Sequence, residues 1–259
     1  MRKSSLATPA DIARARRRTA KRLLVAAAML LAGCEVWFPL PPTADEAERG
    51  LVRMYPGSFN TSSEMIGFYY GLQEAGIDQA VEVVKWATFL DHMIDPVGAQ
   101  VRIEESAAQE ALRIAAYKQA HPGRPVTLLG YSGGCWFATR VAERMLPGVQ
   151  VDRIILLSAA FDRSHDMTRA LAGTRLDIVN FWSPKDQFTI NVRDLFNLAD
   201  STRAEPAATF GLDHQDPRLI QITYNPAWAE LGHYGEHTDY VLLVGWIAKF
   251  VAPWVAPSD

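Results

Sequence analysis

The stretch LLGYSGGCW, from Leu128 to Trp136, places one serine among three glycines at the end of an apolar run. The apolar residues Val126 to Leu129 are typical of a buried strand, and the segment from about Gly133 to Met145 is typical of a helix. Hydrophobic burial alone does not require glycine on both sides of a hydroxyl. The pattern indicates a sharp turn between strand and helix that holds Ser132 in sparsely populated backbone torsions.

Strands and helices alternate on both sides of this turn. The segments with strand patterns are residues 51–55, a run around 81–84, 126–129, 153–158, 176–182 and 219–224. Four segments have helix patterns. The first begins after a capping box from Thr61 to Glu64 and ends at Gly76, and the second has Ile103, Ala107, Ala111 and Ile114 on one face. The other two are residues 133–145 and about 239–250. This alternation predicts an α/β fold with a mostly parallel central sheet and helices on both faces.

Chemically reactive side chains follow the predicted strands at their carboxyl ends. In a parallel sheet the crossover loops at this edge open on one side, so active residues gather there. Ser58 follows the first strand, Ser132 the third, Asp186 the fifth, and both His233 and His237 the sixth. Ser132, Asp186 and the two histidines therefore follow the order serine, acid, histidine along the chain.

This order, together with Gly130-x-Ser132-x-Gly134 between a strand and a helix, resembles the α/β-hydrolase family. The resemblance covers the chain from Gly50 to its C-terminus. It implies a serine hydrolase of the esterase or lipase type, which cleaves carboxylic esters through an acyl-enzyme on Ser132 and needs no cofactor. Thioesters and amides are further candidate substrates.

The chain departs from the family pattern in two places. Family members usually begin with an antiparallel hairpin, whereas only a proline-rich stretch precedes Leu51, so one or both of those strands are expected to be missing. Many relatives insert a large cap where this chain has only residues 159–175. A small or absent cap over an open cleft is therefore expected.

The resemblance also assigns the partners of Ser132. Asp186, in the segment NFWSPKDQF, lies where the family's acid usually lies and would orient the imidazole and stabilise its charged form. Asp162 is the alternative, because some relatives carry the acid after the preceding strand. His237, which precedes the last predicted helix in an H-x-D-Y pattern, is the expected base, and His233, in a G-H-x-G pattern, is the alternative.

Two backbone N–H groups are expected to bind the oxyanion. By resemblance they belong to Gly133, the residue after the nucleophile, and to Ser58 in the YPGSFN turn, with Phe59 as the alternative to Ser58. Cys135 is expected to be a small buried packing residue. No metal site is expected, because His165 with two nearby aspartates is a weak pattern.

The N-terminal residues have the pattern of an export signal. A basic run from Arg14 to Arg22 precedes a short apolar block from Leu23 to Leu31, and Leu31-Ala32-Gly33-Cys34 resembles the lipobox of bacterial lipoproteins. The resemblance implies that Cys34 is lipidated after cleavage, and the alternative is an uncleaved anchor helix. Three parts are therefore expected: a signal peptide over 1–33, a proline-rich tether over 34–49 and an α/β-hydrolase domain over 50–259.

The composition after residue 33 narrows the classes of function. Eight of the 26 basic residues and one of the 29 acidic residues lie in residues 1–33, so 18 basic and 28 acidic residues remain. Nucleic-acid binding needs a basic surface and is not expected. With Cys34 lipidated, Cys135 has no partner for an intramolecular disulfide, and a chain that is 49% hydrophobic has enough apolar residues for one core.

Two classes of function fit these patterns. The first is the enzyme, with a small-molecule ester or lipid as substrate and a membrane that holds the N-terminal lipid. The second is a non-catalytic binding protein on a hydrolase scaffold. Serine, acid and histidine in order favour the enzyme. Its expected location is the bacterial cell envelope, facing the periplasm or cell surface, and Glu35 after the cysteine points to the outer membrane by resemblance to enterobacterial lipoproteins.

Cys34→Ser is expected to abolish membrane retention or processing, because the lipid on Cys34 is the predicted link to the membrane. A chain that starts near Glu35 is expected to stay soluble and active. Mass spectrometry of the mature N-terminus checks this. A peptide in which unmodified Cys34 still follows Gly33 would contradict the lipidation.

Overall fold

The computed structural model describes residues 41–86, 95–255 and 257. The predicted signal peptide, Cys34 and the first part of the predicted tether lie outside the described residues, so those predictions stay open. No helix in the described residues is long and apolar enough to span a membrane.

Six strands form one open sheet in the described part of the chain. They are β1 (Leu51–Tyr55), β2 (Ala80–Val83), β3 (Val126–Tyr131), β4 (Arg153–Leu157), β5 (Ile178–Trp182) and β6 (Leu219–Thr223). Their order across the sheet is β2-β1-β3-β4-β5-β6, and every neighbouring pair is parallel. The predicted α/β class and its six strands are confirmed, with a sheet that is parallel throughout.

The direction in which strands are added reverses at β1. From β1 the chain moves outward to β2, then returns to the other side of β1 to form β3, and each later strand is added on that side. The loops after β1 and β3 therefore leave the sheet in opposite directions and open a crevice between them. Open α/β sheets bind ligands in this kind of crevice.

Helices cover both faces of the sheet. In the described residues they are α1 (Ala44–Ala47), α2 (Ile66–Glu74), α3 (Pro96–Ala120), α4 (Gly133–Glu143), α5 (Thr168–Ala172), α6 (Gln187–Leu195), α7 (Ala207–Phe210), α8 (Asp239–Leu242) and α9 (Val244–Trp246). Short 3₁₀ turns over Ser62–Met65, Pro226–Leu231 and Ala252–Trp254 and a wider turn over Ile247–Val251 complete the helical segments.

The prediction of one continuous helix over about residues 239–250 is wrong. Leu243 has a ψ of 72°, outside the helical range, and separates α8 from α9. Tyr240 and Trp246, on either side of this break, are both fully buried. The break lets both rings enter the same core, so tertiary packing overrides the local helical pattern.

Alternate strand residues face two separate cores. On one face, side chains such as Leu128 and Leu156 pack against α3 and α4, and the predicted α3 stripe of Ile103, Ala107, Ala111 and Ile114 is buried there. On the other face, side chains such as Leu129 and Leu157 pack against α2 and the C-terminal helical segments. The predicted helices on both faces are therefore confirmed.

The end of the predicted tether is folded against the domain. Thr43 and Glu46 form a capping box that opens α1, the Tyr117 hydroxyl donates a hydrogen bond to the Ala47 carbonyl (2.7 Å), and Arg49 forms an ion pair with Asp78 (3.0 Å). The polar composition that indicated a tether is explained by these caps and ion pairs. The packed structure thus begins before residue 50, where the domain boundary was predicted.

The link between β4 and β5 is short, as expected, and contains only the five-residue helix α5. The link between β5 and β6 carries α6 and α7 instead. Because α6 begins directly after Asp186, this second link lies beside the carboxyl ends of the strands and supplies part of the wall of the site.

Candidate active site

Ser132 lies on a strained turn between β3 and α4. Its torsions, φ 53° and ψ −119°, belong to a region that residues with a side chain rarely occupy. The Ser132 N–H donates to the Leu157 carbonyl (2.9 Å), and the Ser132 carbonyl accepts from the N–H groups of Cys135 (3.1 Å) and Ala160 (3.2 Å). These bonds to the helix and to the loop after β4 hold the strained conformation in place.

The glycines around Ser132 make room for the chain itself. A Cβ on Gly130 would lie 2.7 Å from the Cys135 Cα, and a Cβ on Gly134 would lie 2.1 Å from the Tyr55 carbonyl oxygen. A Cβ on Gly133 would meet the Ser58 side chain. The atoms nearest to these three positions belong to the neighbouring strand, helix and loop.

The structure brings Ser132, His237 and Asp186 together in one chain of hydrogen bonds. His237 Nε2 lies 3.0 Å from the Ser132 Oγ, and His237 Nδ1 lies 2.8 Å from the Asp186 Oδ2. Ser132 is 8% exposed, His237 3% and Asp186 1%, so the interactions are largely shielded from water. In this geometry the imidazole can accept a proton from Ser132 while Asp186 stabilises the resulting charge.

Two aromatic side chains fix the plane of the His237 ring. Phe188 in α6 stacks on it with a centroid distance of 4.6 Å, and the ring of Tyr131, the last residue of β3, lies 5.3 Å away. The Tyr131 hydroxyl also donates to the His237 carbonyl (3.1 Å). The loop before α8 therefore holds the imidazole beside Ser132.

Asp186 is held as a carboxylate by the start of α6. Its Oδ1 accepts hydrogen bonds from the N–H and the hydroxyl of Thr189, each 3.1 Å long, so the side chain caps this helix. Burial by itself raises the pKa of Asp186, but the attraction of His237 and the hydrogen bonds from His237, Ser158 and Thr189 outweigh it and lower the pKa. The alternative acid, Asp162, instead accepts from the N–H and hydroxyl of Ser164 in a surface turn.

His233 lies in the aromatic core and not beside Ser132. Its ring is fully buried among Trp228, Tyr240 and Trp246, with centroid distances of 5.3, 4.7 and 4.4 Å. The Gly235 N–H donates to its Nδ1 (3.1 Å), and burial lowers the pKa of His233 to about 4. A neutral imidazole in this position shapes the loop that carries His237.

The loop after β1 lies next to the strained turn at Ser132. A Cβ on Gly133 would lie 3.3 Å from the backbone nitrogen of Ser58. Neither the Ser58 nor the Gly133 N–H donates to another group in the described residues. Trp86 secures this loop, since its indole N–H donates to the Pro56 carbonyl (2.9 Å) and its backbone N–H to the Asn60 Oδ1 (3.1 Å).

Glu64 adds a buried carboxyl to the same loop. The sequence predicted its capping box with Thr61, and the Glu64 Oε2 does accept from the Thr61 N–H (3.0 Å), while Oε1 faces Gly57. Burial raises the pKa of Glu64 to about 7, with the hydrogen bonds from Thr61 and the charge of His237 acting in the opposite direction. The capping-box pattern alone did not indicate that this cap lies at the site.

Ser158, directly after β4, is a member of the site that the sequence analysis missed. Its hydroxyl donates to the Asp186 Oδ2 and lies 2.8 Å from His237 Nδ1. Its φ of 55° is also unusual for a residue with a side chain. The rule that placed the other residues at the carboxyl ends of strands applies to Ser158 as well.

A cavity of about 500 Å³ opens at Ser132 and His237. Its wall is mostly apolar and comes from the loop after β1, from α6 with the residues after it, and from α8. Apolar side chains that line it are Phe59, Ile66, Val192, Phe196, Val241 and Leu242. The reactive hydroxyl therefore faces a space suited to an apolar group.

The other reactive side chains lie apart from this cavity. Cys135 is buried, as predicted, and its thiol contacts the carbonyls of Gly130 and Leu157; burial raises the pKa of this thiol. His165 contacts Glu143 (2.7 Å). Within the described residues, no group of three or more potential metal ligands comes together.

No protein-family model matches the chain, and no curated protein matches it in sequence. The solved structures that are similar at low identity include two lipase-type proteins and a cutinase. Lipase B of Aspergillus fumigatus is 13% identical, with a TM-score of 0.48 over 85% of this chain and 56% of the lipase. A lipase-esterase related protein of Clostridium acetobutylicum is 11% identical, with a TM-score of 0.47 over 83% of this chain and 98% of the other. A cutinase of Trichoderma reesei is 15% identical, with a TM-score of 0.40 over 97% and 94%.

These similarities are too low to assign a family or an activity. The fold class rests on the parallel strand order and on the strand, turn and helix around Ser132, which are features of the α/β-hydrolase fold. What the site can do is inferred from its own geometry.

Glu64→Gln is expected to reduce the loss of stability between pH 5 and pH 8. Because the pKa of Glu64 is higher in the folded chain than its ordinary 4.5, the folded chain holds this proton more tightly, and the free energy of unfolding falls as the pH rises from about 4.5 to about 7. Between pH 5 and pH 8, the free energy of unfolding of the wild type should fall by up to about 3 kcal/mol more than that of the variant. Urea unfolding at both pH values measures the difference.

Glu110→Gln is the matched control. Glu110 is also buried, but it is paired with Arg53 through two hydrogen bonds, so its substitution should destabilise the protein at both pH values. Equal pH dependence in the wild type and Glu64→Gln would contradict the assigned burial effect.

Proposed function

We propose that this chain is a serine hydrolase that cleaves carboxylic esters through an acyl-enzyme on Ser132. The observation that carries the proposal is the chain of hydrogen bonds from Ser132 through His237 to Asp186, built on a strained turn at the edge of an apolar cavity. A serine hydroxyl needs a base to become a good nucleophile, and His237 is within reach of its proton.

In the first half of the reaction, the Ser132 Oγ attacks the ester carbonyl carbon and His237 Nε2 takes the hydroxyl proton. The negative charge that forms on the carbonyl oxygen is bound by the N–H groups of Ser58 and Gly133. Asp186 stabilises the imidazolium through His237 Nδ1. When the tetrahedral intermediate collapses, the carbon–oxygen bond to the alcohol breaks and His237 returns the proton to the departing oxygen.

In the second half, a water molecule replaces the alcohol. His237 removes a proton from this water as it attacks the acyl carbon, and a second tetrahedral intermediate forms at the same oxyanion site. Its collapse breaks the ester bond to Ser132, and the proton on His237 returns to the Ser132 Oγ. The carboxylic acid then leaves and the site is restored without a cofactor.

The cavity supports an ester with an apolar acyl or alcohol group. Its volume of about 500 Å³ lies within the range of small-molecule sites, and its wall is mostly aliphatic and aromatic. The alternative of a non-catalytic binding protein does not explain why Ser132 is held in strained torsions within hydrogen-bond distance of a buried, aligned imidazole. Strain of this kind concentrates at functional sites.

The proposed setting is the bacterial cell envelope, with Cys34 as the lipid-bearing residue and the acidic domain held beside a membrane. Support for this setting comes from the N-terminal sequence pattern. In this setting the substrate is a small-molecule ester or a lipid.

Single-turnover acylation by an activated ester tests the roles of Ser132 and the two histidines. Ser132→Ala and His237→Ala should each lose acylation by a similar large factor, roughly 10⁴ to 10⁶, since triad members act as one unit. His233→Ala is the matched control: His233 supports the loop that carries His237 but does not contact Ser132, so this variant should lose acylation by a much smaller factor than His237→Ala.

Circular dichroism confirms that each variant is folded. Normal acylation by folded Ser132→Ala would rule out Ser132 as the nucleophile. Normal acylation by His237→Ala together with its loss in folded His233→Ala would exchange the two histidine roles.

A further inference from the structure

We propose that Ser158 is a positioning residue that fixes both the carboxylate of Asp186 and the tautomer of His237. The inference rests on the proposed function and adds a fourth residue to its hydrogen-bond chain. Ser158 lies at the end of β4, between the strand that carries Ser132 and the strand that precedes Asp186.

Each carboxylate oxygen of Asp186 accepts hydrogen bonds from two donors. Oδ1 accepts from the N–H and the hydroxyl of Thr189. Oδ2 accepts from the Ser158 hydroxyl and from His237 Nδ1–H. Asp186 is 1% exposed, so these donors replace the water that a free carboxylate would bind.

The Ser158 hydroxyl has one proton, and this determines which atom donates in the hydrogen bond between Ser158 and His237. Because that proton is donated to Asp186, the Ser158 oxygen can only accept from His237 Nδ1, which lies 2.8 Å away. Nδ1–H is then shared between two acceptors, and the Nε2 of the neutral imidazole carries no proton. This is the tautomer that can take the proton of Ser132.

The backbone of Ser158 is built to present this hydroxyl. Ser158 has a φ of 55°, and its N–H donates to the Phe181 carbonyl in the neighbouring strand (3.0 Å). The residue is 1% exposed. A serine kept in unfavourable torsions at a buried position, although glycine would adopt them without strain, points to a need for its side chain.

Removal of the hydroxyl is expected to change catalysis more than substrate binding. Ser158→Ala should lower kcat by roughly ten- to a hundredfold with little change in KM, because Asp186 and His237 lose a shared partner while the cavity wall is unchanged. The pH profile of kcat should also differ from that of the wild type, because the Ser158 hydroxyl contacts both Asp186 and His237 Nδ1.

Ser158→Gly separates the hydroxyl from the backbone strain. Glycine removes both, so it should be at least as stable as Ser158→Ala and yet lose the same activity. Ser201→Gly is the matched control: Ser201 also has a positive φ, of 64°, and its hydroxyl contacts Gln100 away from His237. This variant should keep the wild-type kcat and pH profile.

The experiment combines steady-state kinetics across pH with ¹H–¹⁵N NMR of the His237 ring, for the wild type and all three variants. The wild type should show the proton on Nδ1, with its resonance displaced in Ser158→Ala and Ser158→Gly and unchanged in Ser201→Gly. An unchanged Nδ1 resonance, or wild-type kcat in Ser158→Gly, would overturn the proposal. If the wild type fails to hydrolyse activated esters, the proposed function fails, while the NMR comparison still decides whether Ser158 positions the imidazole.

Discussion

The site depends on how closely the first turn of α4 lies against the end of β1. A Cβ on Gly134 would lie 2.1 Å from the Tyr55 carbonyl oxygen, so only glycine permits this approach. The same approach bends the backbone at Ser132 and places the Ser58 nitrogen next to Gly133. The close contact thus sets the position of the proposed nucleophile and of the proposed oxyanion donors together.

Around this contact, the charged groups of the site are paired inside the protein. Asp186 has donors from α6, from Ser158 directly after β4 and from the loop before α8, and their combined effect holds its pKa below the ordinary value despite burial. His237 is held between Phe188 and Tyr131. Glu64, in contrast, has fewer donors than its burial requires, and its pKa rises to about 7. The loop after β1 therefore carries a group whose charge changes near neutral pH.

Much of the fold was predictable because its signals are local. All six strands, the alternation of strands and helices and the buried stripe of α3 follow from hydrophobic periodicity. The last helix was not predictable as it is, because the break at Leu243 depends on where Tyr240 and Trp246 pack. The folded end of the tether was missed because its stability comes from Tyr117 and Asp78, which are distant in sequence.

The candidate site was also predictable only in part from the sequence. Strand ends and the order of reactive residues were enough to nominate Ser132, Asp186 and His237, and the structure places these three within hydrogen-bond distance. The sequence left His233 and His237 as alternatives, because both follow the same strand. The structure separates them, since His233 packs among aromatic rings and His237 lies beside Ser132. Ser158 was missed because no sequence motif links a serine at a strand end to a distant acid or histidine. Its contacts with Asp186 and His237 form only in the folded chain.

Reaction of the folded protein with a fluorophosphonate, with the adduct located by peptide mass spectrometry, tests whether Ser132 is an activated nucleophile. Such a reagent phosphonylates a serine that an adjacent base has activated. We expect one stoichiometric adduct on Ser132, in the tryptic peptide that ends at Arg140, and none in His237→Ala. An adduct on another residue, or an unmodified Ser132 in correctly folded protein, would contradict this expectation.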